Sequence, residues 1–237
     1  ATGPLTTDNY ERCLLNGDAR GKPIYLVGDS QAGHLSEAVR DVGLQSNRGV
    51  LFSTTTSCPF YSLPEETGRC SEFHQGTVKL LSFLDPGDVI IAFSSSNRLD
   101  SESLKSFSET IANLLSYGHS VTLVGPIPLA GNERQFNPRD CSFQSVRSGE
   151  CFFSFSRDKM SIEAKAQEAL FSQLAQEPRI SFWSLADSLC EERNCYTKAG
   201  GVVIYRDPSH LSVAANSLLV QSLAEVLASK SEASFSS

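Results

Sequence analysis

The stretch KPIYLVGDSQAGHLSEAVRDVG, residues 22–43, joins a short apolar run to a helical pattern. A continuous apolar run of this length is typical of a parallel strand that is covered on both faces. Asp29 and Ser30 stand where the strand gives way to the helix. Both residue types cap helices, so the local sequence has an ordinary explanation. The alternative is that Ser30 is displayed there for chemistry, and residues elsewhere in the chain must decide between the two.

The same alternation of short apolar runs and helical patterns continues along the chain. The predicted strands are Pro23–Gly28, Gly49–Ser53, Asp88–Phe93, Ser120–Gly125 and Arg179–Trp183. The predicted helices are Gln31–Val42, Gln75–Leu84, Ser101–Tyr117, Arg157–Gln176 and Ser212 to about Ser229. Alternation of this kind predicts an α/β fold, a three-layer α/β/α sandwich around a parallel sheet of about five strands.

One domain is expected over residues 1–237. Within it, residues 1–20 are predicted to be an N-terminal extension and residues 126–155 a loop insertion above the sheet. Residues 230–237, which are polar, are predicted to be a frayed tail. Ligands of open parallel sheets bind beyond the carboxyl ends of the strands, and Ser30 lies at such an end.

Charge and hydropathy narrow the class of partner. The 237 residues carry a formal net charge of −7, and Lys and Arg are scattered along the chain. This pattern argues against nucleic acid or an anionic membrane surface as the main partner. The sequence contains no apolar run approaching the roughly 20 residues that span a bilayer, and its beginning lacks the layout of a signal peptide. We expect either a removed signal or a soluble piece of a longer protein.

Six of the seven cysteines form pairs that are close in sequence: Cys58 with Cys70, Cys141 with Cys151, and Cys190 with Cys195. Their spacings do not match the paired C-x-x-C of zinc sites, and no histidine lies near enough in sequence to complete one. The sequence therefore predicts no metal. Three local disulfides, and hence an oxidising compartment, are favoured over six reduced cysteines of a cytosolic protein. Cys13 is left without an assigned partner.

A serine nucleophile needs a neighbouring base, usually a histidine that a carboxylate orients. Three of the four histidines are poor candidates. His34 lies one helical turn after Ser30 and is expected to pack or to meet solvent. His74 is expected to be a surface or capping residue, and His119 to lie at the amino-terminal edge of the sheet, away from the site.

His210 is the best candidate, because Asp207 precedes it by three residues on a loop that contains Pro208. This spacing lets the carboxylate bind one imidazole nitrogen and leaves the other nitrogen for Ser30. The alternative is an ordinary helix-entry loop in which Asp207 forms part of a turn. Taken alone, that alternative would be preferred.

The combination of GDS after the first strand and D-x-x-H before the last helix favours catalytic roles for Ser30 and His210 over capping and turn roles. The chain resembles the SGNH (GDSL-like) hydrolase superfamily over essentially its whole length. The resemblance implies a flavodoxin-like SGNH hydrolase fold in which Ser30 is the nucleophile and Asp207 and His210 complete a catalytic triad.

The chain is most similar to the SGNH domains at the C-terminus of acyltransferase-3 membrane proteins, which O-acylate bacterial surface polysaccharides. The similarity is carried by the cysteine pairs and by the segments LVGDSQAGHL, SCPFY and YRDPSHLSVAAN. That group usually has a histidine directly after the serine, where this chain has Gln31.

The resemblance also implies an oxyanion hole built from the serine amide, a glycine after the second strand and an asparagine after the third. Asn97, in the segment SSSNRL, occupies the last place, although it could instead be a turn residue. No glycine matches the second place, where Ser57 of STTTSCPFY offers only its backbone amide. The segment GDSQAG lacks the glycine spacing of a dinucleotide-binding loop, so no such cofactor is expected.

The sequence thus predicts acyl-ester chemistry through a covalent acyl-Ser30, without a cofactor. The expected partners are a short acyl donor, a saccharide acceptor and, in the same chain, a membrane acyltransferase-3 portion. The expected location is periplasmic or extracytoplasmic, tethered to the inner membrane. A free-standing carbohydrate or lipid esterase and a catalytically silent glycan-binding module remain the alternatives. The triad residues are the same for the transferase and the esterase and do not separate them.

Overall fold

The computed structural model describes residues 5, 6, 8–62, 67–96, 99–129 and 136–233, without the side chains of residues 12 and 230–233. The first seven strands are β1 (Leu14–Leu15), β2 (Gly21–Gly28), β3 (Arg48–Thr54), β4 (Asp88–Ala92), β5 (Ser120–Val124), β6 (Ser154–Ser156) and β7 (Ile180–Trp183). Six short strands follow: β8 (Cys190–Glu191), β9 (Asn194–Tyr196), β10 (Lys198–Ala199), β11 (Val202–Val203), β12 (Tyr205–Asp207) and β13 (His210–Leu211).

The α-helices are α1 (Ser30–Gly33), α2 (Ser36–Gln45), α3 (Arg69–Leu81), α4 (Ser101–Ser116), α5 (Phe143–Ser148), α6 (Ile162–Leu174), α7 (Leu185–Leu189) and α8 (Val220–Ala233). In the part of the chain that the structure describes, 3-10 helices cover Tyr10–Cys13, Pro138–Asp140, Arg157–Lys159 and Ala214–Leu218.

The main sheet has the strand order β1-β3-β2-β4-β5-β7. The five strands β3, β2, β4, β5 and β7 are parallel, as predicted. The two-residue strand β1 pairs antiparallel with β3 and adds an edge strand. This strand lies in the segment that was expected to be an extension only, and two residues are too few to show a strand pattern in a sequence.

Alternate residues of the central strand face opposite helix layers, because successive side chains of a strand point to opposite faces. Ile24 and Leu26 are fully buried on the side covered by α2 and α8. Tyr25 and Val27 are buried on the side covered by α3, α4 and α6. The predicted three-layer α/β/α fold is thereby confirmed.

The predicted helix Gln31–Val42 is divided into α1 and α2, and a buried asparagine from the end of the chain explains the break. In a continuous helix the Ala38 N–H would donate to the His34 carbonyl. Instead, Ala38 N–H donates to Asn216 Oδ1 at 3.1 Å, and Asn216 Nδ2 donates to the His34 carbonyl at 2.8 Å. The Asn216 carboxamide therefore takes the place of one helical hydrogen bond, which is a recognised cause of helix interruption.

Three other helices differ from prediction at their beginnings or ends. The third, α3, begins at Arg69, directly after Gly68 with its φ of 94°, and ends at Leu81. The predicted helix Arg157–Gln176 is a 3-10 turn followed by α6, which Ser161 caps by accepting a hydrogen bond from the Ala164 N–H. The last predicted helix is likewise a 3-10 helix followed by α8.

The C-terminal segment and the predicted insertion contain more regular structure than the sequence predicts. The helix α8 continues to Ala233, into the segment expected to fray, and residues 234–237 lie outside the described residues. The predicted insertion contains α5 and a disulfide, and its Phe136 ring packs against Tyr205 of β12. The insertion is thus joined to the strand that carries Asp207.

The three predicted cysteine pairs are bonded in the structure: Cys58–Cys70, Cys141–Cys151 and Cys190–Cys195. Cys13 is free. Within the described ranges, no helix is both long enough and apolar enough to cross a membrane.

The glycine that ends β2 is required by the packing of the two central strands. Gly28 has a φ of 136°, and a Cβ atom there would lie 1.8 Å from the Ala92 carbonyl oxygen of β4. Gly76, in the interior of α3, has nothing within 4 Å of such an atom.

We therefore expect Gly28→Ala to lower the free energy of unfolding by more than about 3 kcal/mol, from backbone strain and steric overlap. The matched change Gly76→Ala should raise it by up to about 1 kcal/mol, because alanine favours helices. Urea unfolding followed by circular dichroism measures both. Equal stability of the two variants would show that the close approach of β2 to β4 is unimportant.

Candidate active site

The turn that carries Ser30, the candidate nucleophile, lies at the carboxyl end of the central strand. Asp29 is the N-cap of α1, and Ser30 is its first residue. The Asp29 N–H donates to the Ala92 carbonyl at 3.3 Å, and the Thr55 N–H donates to the Gly28 carbonyl at 3.1 Å. The turn is therefore held between the ends of the two neighbouring strands, β4 and β3, with Ser30 half-buried at the edge of the sheet.

The Asp29 carboxylate joins this turn to the loop that follows β4. Its side chain is 1% exposed. Oδ1 accepts from the Gln31 N–H at 2.8 Å, and Oδ2 accepts from the Ser94 N–H at 2.9 Å. Burial raises the pKa of Asp29, and these two bonds oppose the rise because they favour the ionised form. Asp29 thus caps the helix, as the simpler interpretation of the sequence predicts, and it also fixes where the β4 loop begins.

His210 and Asp207 lie on the hairpin of β12 and β13, where they are paired across the two strands. His210 Nδ1 is 2.6 Å and 2.8 Å from the two oxygens of the Asp207 carboxylate. His210 Nε2 is 3.3 Å from Ser30 Oγ. An ionised carboxylate only accepts hydrogen bonds, so Nδ1 carries a proton, and in the neutral ring Nε2 is the acceptor for the Ser30 hydroxyl. The sequence separation of Ser30 and His210 is 180 residues.

Asp207 is in a setting that keeps it ionised. Partial burial raises its pKa, but the Ser209 N–H at 3.0 Å and the His210 ring lower it. Together with Arg206, whose Nε is 3.3 Å from Oδ2, they bring the pKa of Asp207 to about 2. At neutral pH this group can therefore hold one imidazole tautomer and stabilise an imidazolium.

His34 contacts His210, the candidate base, directly, and its position in the sequence did not specify this contact. Its ring meets that of His210 edge to face, with centroids 4.2 Å apart and planes at 90°. Burial, followed by the charges of His210 and Arg206, lowers the pKa of His34 to about 4. A neutral ring is thus packed beside the base. The only signal in the sequence is its place one helical turn after Ser30.

Two other histidines lie elsewhere in the fold. His119 is fully buried beside the amino-terminal ends of the strands, between the Gly87 N–H and the Leu81 carbonyl, away from the site as predicted. The expectation that His74 is a surface or capping residue is wrong. His74 lies on the face of α3 that is turned to the core. Its ring packs against that of Phe60, and its Nε2 is 3.0 Å from Thr110 Oγ1.

The sequence predicts two oxyanion donors besides Ser30, namely Asn97 and Ser57. Asn97 lies outside the described residues, directly after the loop residues Ser94–Ser96. Ser57 is exposed and has a φ of 59°, in the left-handed region that glycine favours. This backbone conformation fits a position at which the resemblance implies a glycine.

The arrangement brings a hydroxyl, an imidazole and a carboxylate into one hydrogen-bonded line at the end of the central strand. Such a line can activate the hydroxyl for attack on an electrophilic carbonyl carbon. Ser30 is the first residue of α1, and the start of a helix favours nearby negative charge. The Gln31 N–H is already bonded to Asp29 Oδ1, so the Ser30 N–H is the candidate donor at this place.

The comparisons with known proteins agree with this geometry. Residues 2–225 match the family described as "SGNH domain (fused to AT3 domains)". Comparison with curated protein sequences gave no match. A similar solved structure is the periplasmic domain of a lipopolysaccharide acetyltransferase from Salmonella ser. Paratyphi A, with a TM-score of 0.72 and 16% identity. The alignment covers 95% of this chain and 90% of that one.

Two further solved structures share the fold at lower similarity. TesA has a TM-score of 0.54 and 12% identity, with 88% of this chain and 99% of that chain covered. A GDSL-like lipase from Bacteroides thetaiotaomicron has a TM-score of 0.50 and 8% identity, with coverages of 90% and 89%. At such identities these structures support the fold, whereas the family match covers nearly the whole sequence. The chain therefore belongs to the family of SGNH domains that are fused to AT3 domains.

Proposed function

We propose that this domain performs acyl-ester chemistry through a covalent acyl-Ser30, and that it transfers the acyl group to a hydroxyl of a cell-envelope glycan. The observation that supports it most directly is the short, ordered contact of Asp207 with His210 and of His210 with Ser30. The same three residues are those that the family resemblance assigns to a triad.

In the proposed mechanism, His210 Nε2 takes the proton of the Ser30 hydroxyl as Oγ attacks the ester carbonyl carbon. The tetrahedral intermediate collapses when the donor alkoxide leaves with the proton from His210, and acyl-Ser30 remains. A second hydroxyl then gives its proton to His210 and attacks the acyl carbonyl, and this intermediate collapses when Ser30 Oγ leaves with the proton from His210, which releases the acylated acceptor and restores Ser30. Asp207 stabilises the imidazolium that forms in each half-reaction.

The oxyanion of both intermediates is proposed to be bound by the Ser30 N–H, the Asn97 side-chain amide and the Ser57 N–H. Donors that are fixed before the reaction stabilise developing charge without reorganisation. Asp29 supports this role for the β4 loop, because its bond to the Ser94 N–H anchors the loop three residues before Asn97.

The choice of a saccharide acceptor rests on the family. Its members are SGNH domains fused to AT3 domains, and one structurally similar protein is the periplasmic domain of a lipopolysaccharide acetyltransferase. We propose accordingly that a membrane acyltransferase portion belongs to the same chain and supplies the acyl group. The three disulfides fit an extracytoplasmic location, which we propose to be the periplasm.

A free-standing carbohydrate or lipid esterase is the second candidate, since water at the same site would complete hydrolysis. The GDSL-like lipase among the similar structures favours it. The ratio of acylated saccharide to free acid, in a reaction that offers both acceptors, separates the two. A catalytically silent glycan-binding module is the third candidate, but binding alone does not require the contact of Ser30 with His210.

We expect Ser30→Ala to abolish turnover of a chromogenic acetyl ester and His210→Ala to lower kcat/KM by at least about 10³-fold, because triad residues act as a unit. Asp207→Asn should lower it by roughly 10²- to 10⁴-fold through loss of tautomer control. His74→Gln is the matched control, since His74 lies on α3 and faces the protein core away from Ser30. It should leave kcat/KM within about threefold. Full turnover in both Ser30→Ala and His210→Ala would exclude the proposed mechanism and leave Asp29 and Ser30 as a helix cap.

We expect Asn97→Ala to lower kcat by about 10²- to 10³-fold with little change in KM, the loss that follows removal of one oxyanion donor. Asn113→Ala, the same change on the exposed side of α4, should leave kcat unchanged. Steady-state kinetics of the folded variants measures both. A loss of only two- or threefold for Asn97→Ala would assign this residue to the turn, and the oxyanion hole would then need another donor.

A further inference from the structure

We propose that Gln31 is a positioning residue that holds the loop of the general base against the nucleophile turn. This inference rests on the proposed function, because it assigns to Gln31 an effect that acts through His210. It concerns the position at which the resembling proteins usually have a histidine and this chain has a glutamine.

The loop that carries His210 is the tip of a small hairpin. Ser209 at the tip is exposed, and the pairing of β12 with β13 is irregular between Tyr205 and Asp207. The Ser209 N–H and hydroxyl both bind Asp207 Oδ1, at 3.0 Å and 3.2 Å. These bonds orient the carboxylate, which in turn binds His210 Nδ1. They do not fix the distance from the hairpin to Ser30, because both partners belong to the hairpin.

The Gln31 side chain supplies a bond between the two segments. Its Nε2 donates to the Ser209 carbonyl at 2.9 Å. Gln31 directly follows the nucleophile, and Ser209 directly precedes the base. The bond therefore runs beside the 3.3 Å contact of His210 Nε2 with Ser30 Oγ, one residue away on each side. A restraint at this place controls both the separation and the alignment of the reacting pair.

The residue that makes this bond is itself well anchored. The Gln31 N–H donates to Asp29 Oδ1, and the other oxygen of that buried carboxylate accepts from the Ser94 N–H. Gln31 therefore connects the hairpin to a turn that a buried, doubly hydrogen-bonded carboxylate anchors. A continuous series of hydrogen bonds therefore runs from Asp29 to Gln31, from Gln31 to Ser209 of the hairpin, and from the neighbouring His210 back to Ser30.

A second amide, that of Asn216, binds at the break between α1 and α2 and so differs in role from Gln31. Asn216, 2% exposed, binds the backbone of His34 and Ala38 from within the core. Replacement of such a buried amide would disturb folding as well as activity. Gln31 is half-buried at the surface of the site, so its replacement tests position without unfolding the domain.

The chemistry of the side chain defines two informative substitutions. Methionine matches the length and volume of glutamine but has no N–H donor, so Gln31→Met removes only the bond to Ser209. Histidine supplies an N–H donor and is the residue that the resemblance implies, so Gln31→His should restore the bond. Gln221→Met is the matched control, because Gln221 is exposed on α8 and its side-chain amide donates to Glu225 Oε1 of the same helix.

We expect Gln31→Met to lower kcat for the acetyl ester by roughly tenfold, with KM within twofold, since small displacements of reacting groups reduce rates steeply. Labelling of Ser30 by a serine-directed phosphonate should slow by the same factor. Gln31→His should recover at least a third of wild-type kcat, and Gln221→Met should be unchanged. In a His210→Ala background, Gln31→Met should have no further effect, because residues that act through one group are not additive.

The outcomes separate this inference from the proposed function. Full turnover in His210→Ala would overturn the proposed function and this inference with it. Loss of turnover in His210→Ala together with unchanged kinetics in Gln31→Met would overturn the inference alone. An equal loss from Gln31→Met with and without His210 would also overturn it, because the effect would then not pass through the base.

Discussion

The buried carboxylate of Asp29 is the interaction on which the site depends. It lies at the end of the central strand, where it caps α1 and accepts a hydrogen bond from the loop after β4. One side chain therefore sets the direction of the nucleophile turn and the start of the loop that carries Asn97. The close approach of Gly28 to Ala92 makes this possible, because only a glycine lets the two strand ends come so near. Loss of either feature would separate the serine from its surroundings while most of the sheet remained.

A second constraint brings the far end of the chain to the same place. The carboxamide of Asn216 replaces one hydrogen bond of the first helical segment and so divides it into α1 and α2. His34, whose carbonyl accepts a hydrogen bond from Asn216, packs its ring against that of His210. Burial keeps His34 neutral near pH 7, so it adds no charge beside the proposed base. The break between α1 and α2 and the packing of His210 thus involve the same residue.

The fold was largely predictable because buried parallel strands are continuous apolar runs, and all five were located in the sequence. The spacing of D-x-x-H allowed the contact of Asp207 with His210, but taken alone it favoured an ordinary loop, and only the resemblance to SGNH hydrolases indicated that His210 would meet Ser30. The two-residue strand β1 has too little pattern to be recognised. The division of the helix after Ser30 depends on Asn216, which is 178 residues beyond Ala38, so no local pattern could predict it. For the same reason neither the contact of His34 nor the bond of Gln31 was visible in the sequence.

The central claim is that Ser30, at the end of the central strand, becomes acylated during the reaction. The most direct measurement is rapid acid quenching of the protein with an activated short-chain acyl ester, followed by mass spectrometry of its peptides. The account predicts one acyl group per chain on the peptide that contains Ser30, formed before the first turnover is complete and absent in Ser30→Ala. Turnover without any acylated peptide, or an acyl group on another residue that Ser30→Ala does not abolish, would contradict it.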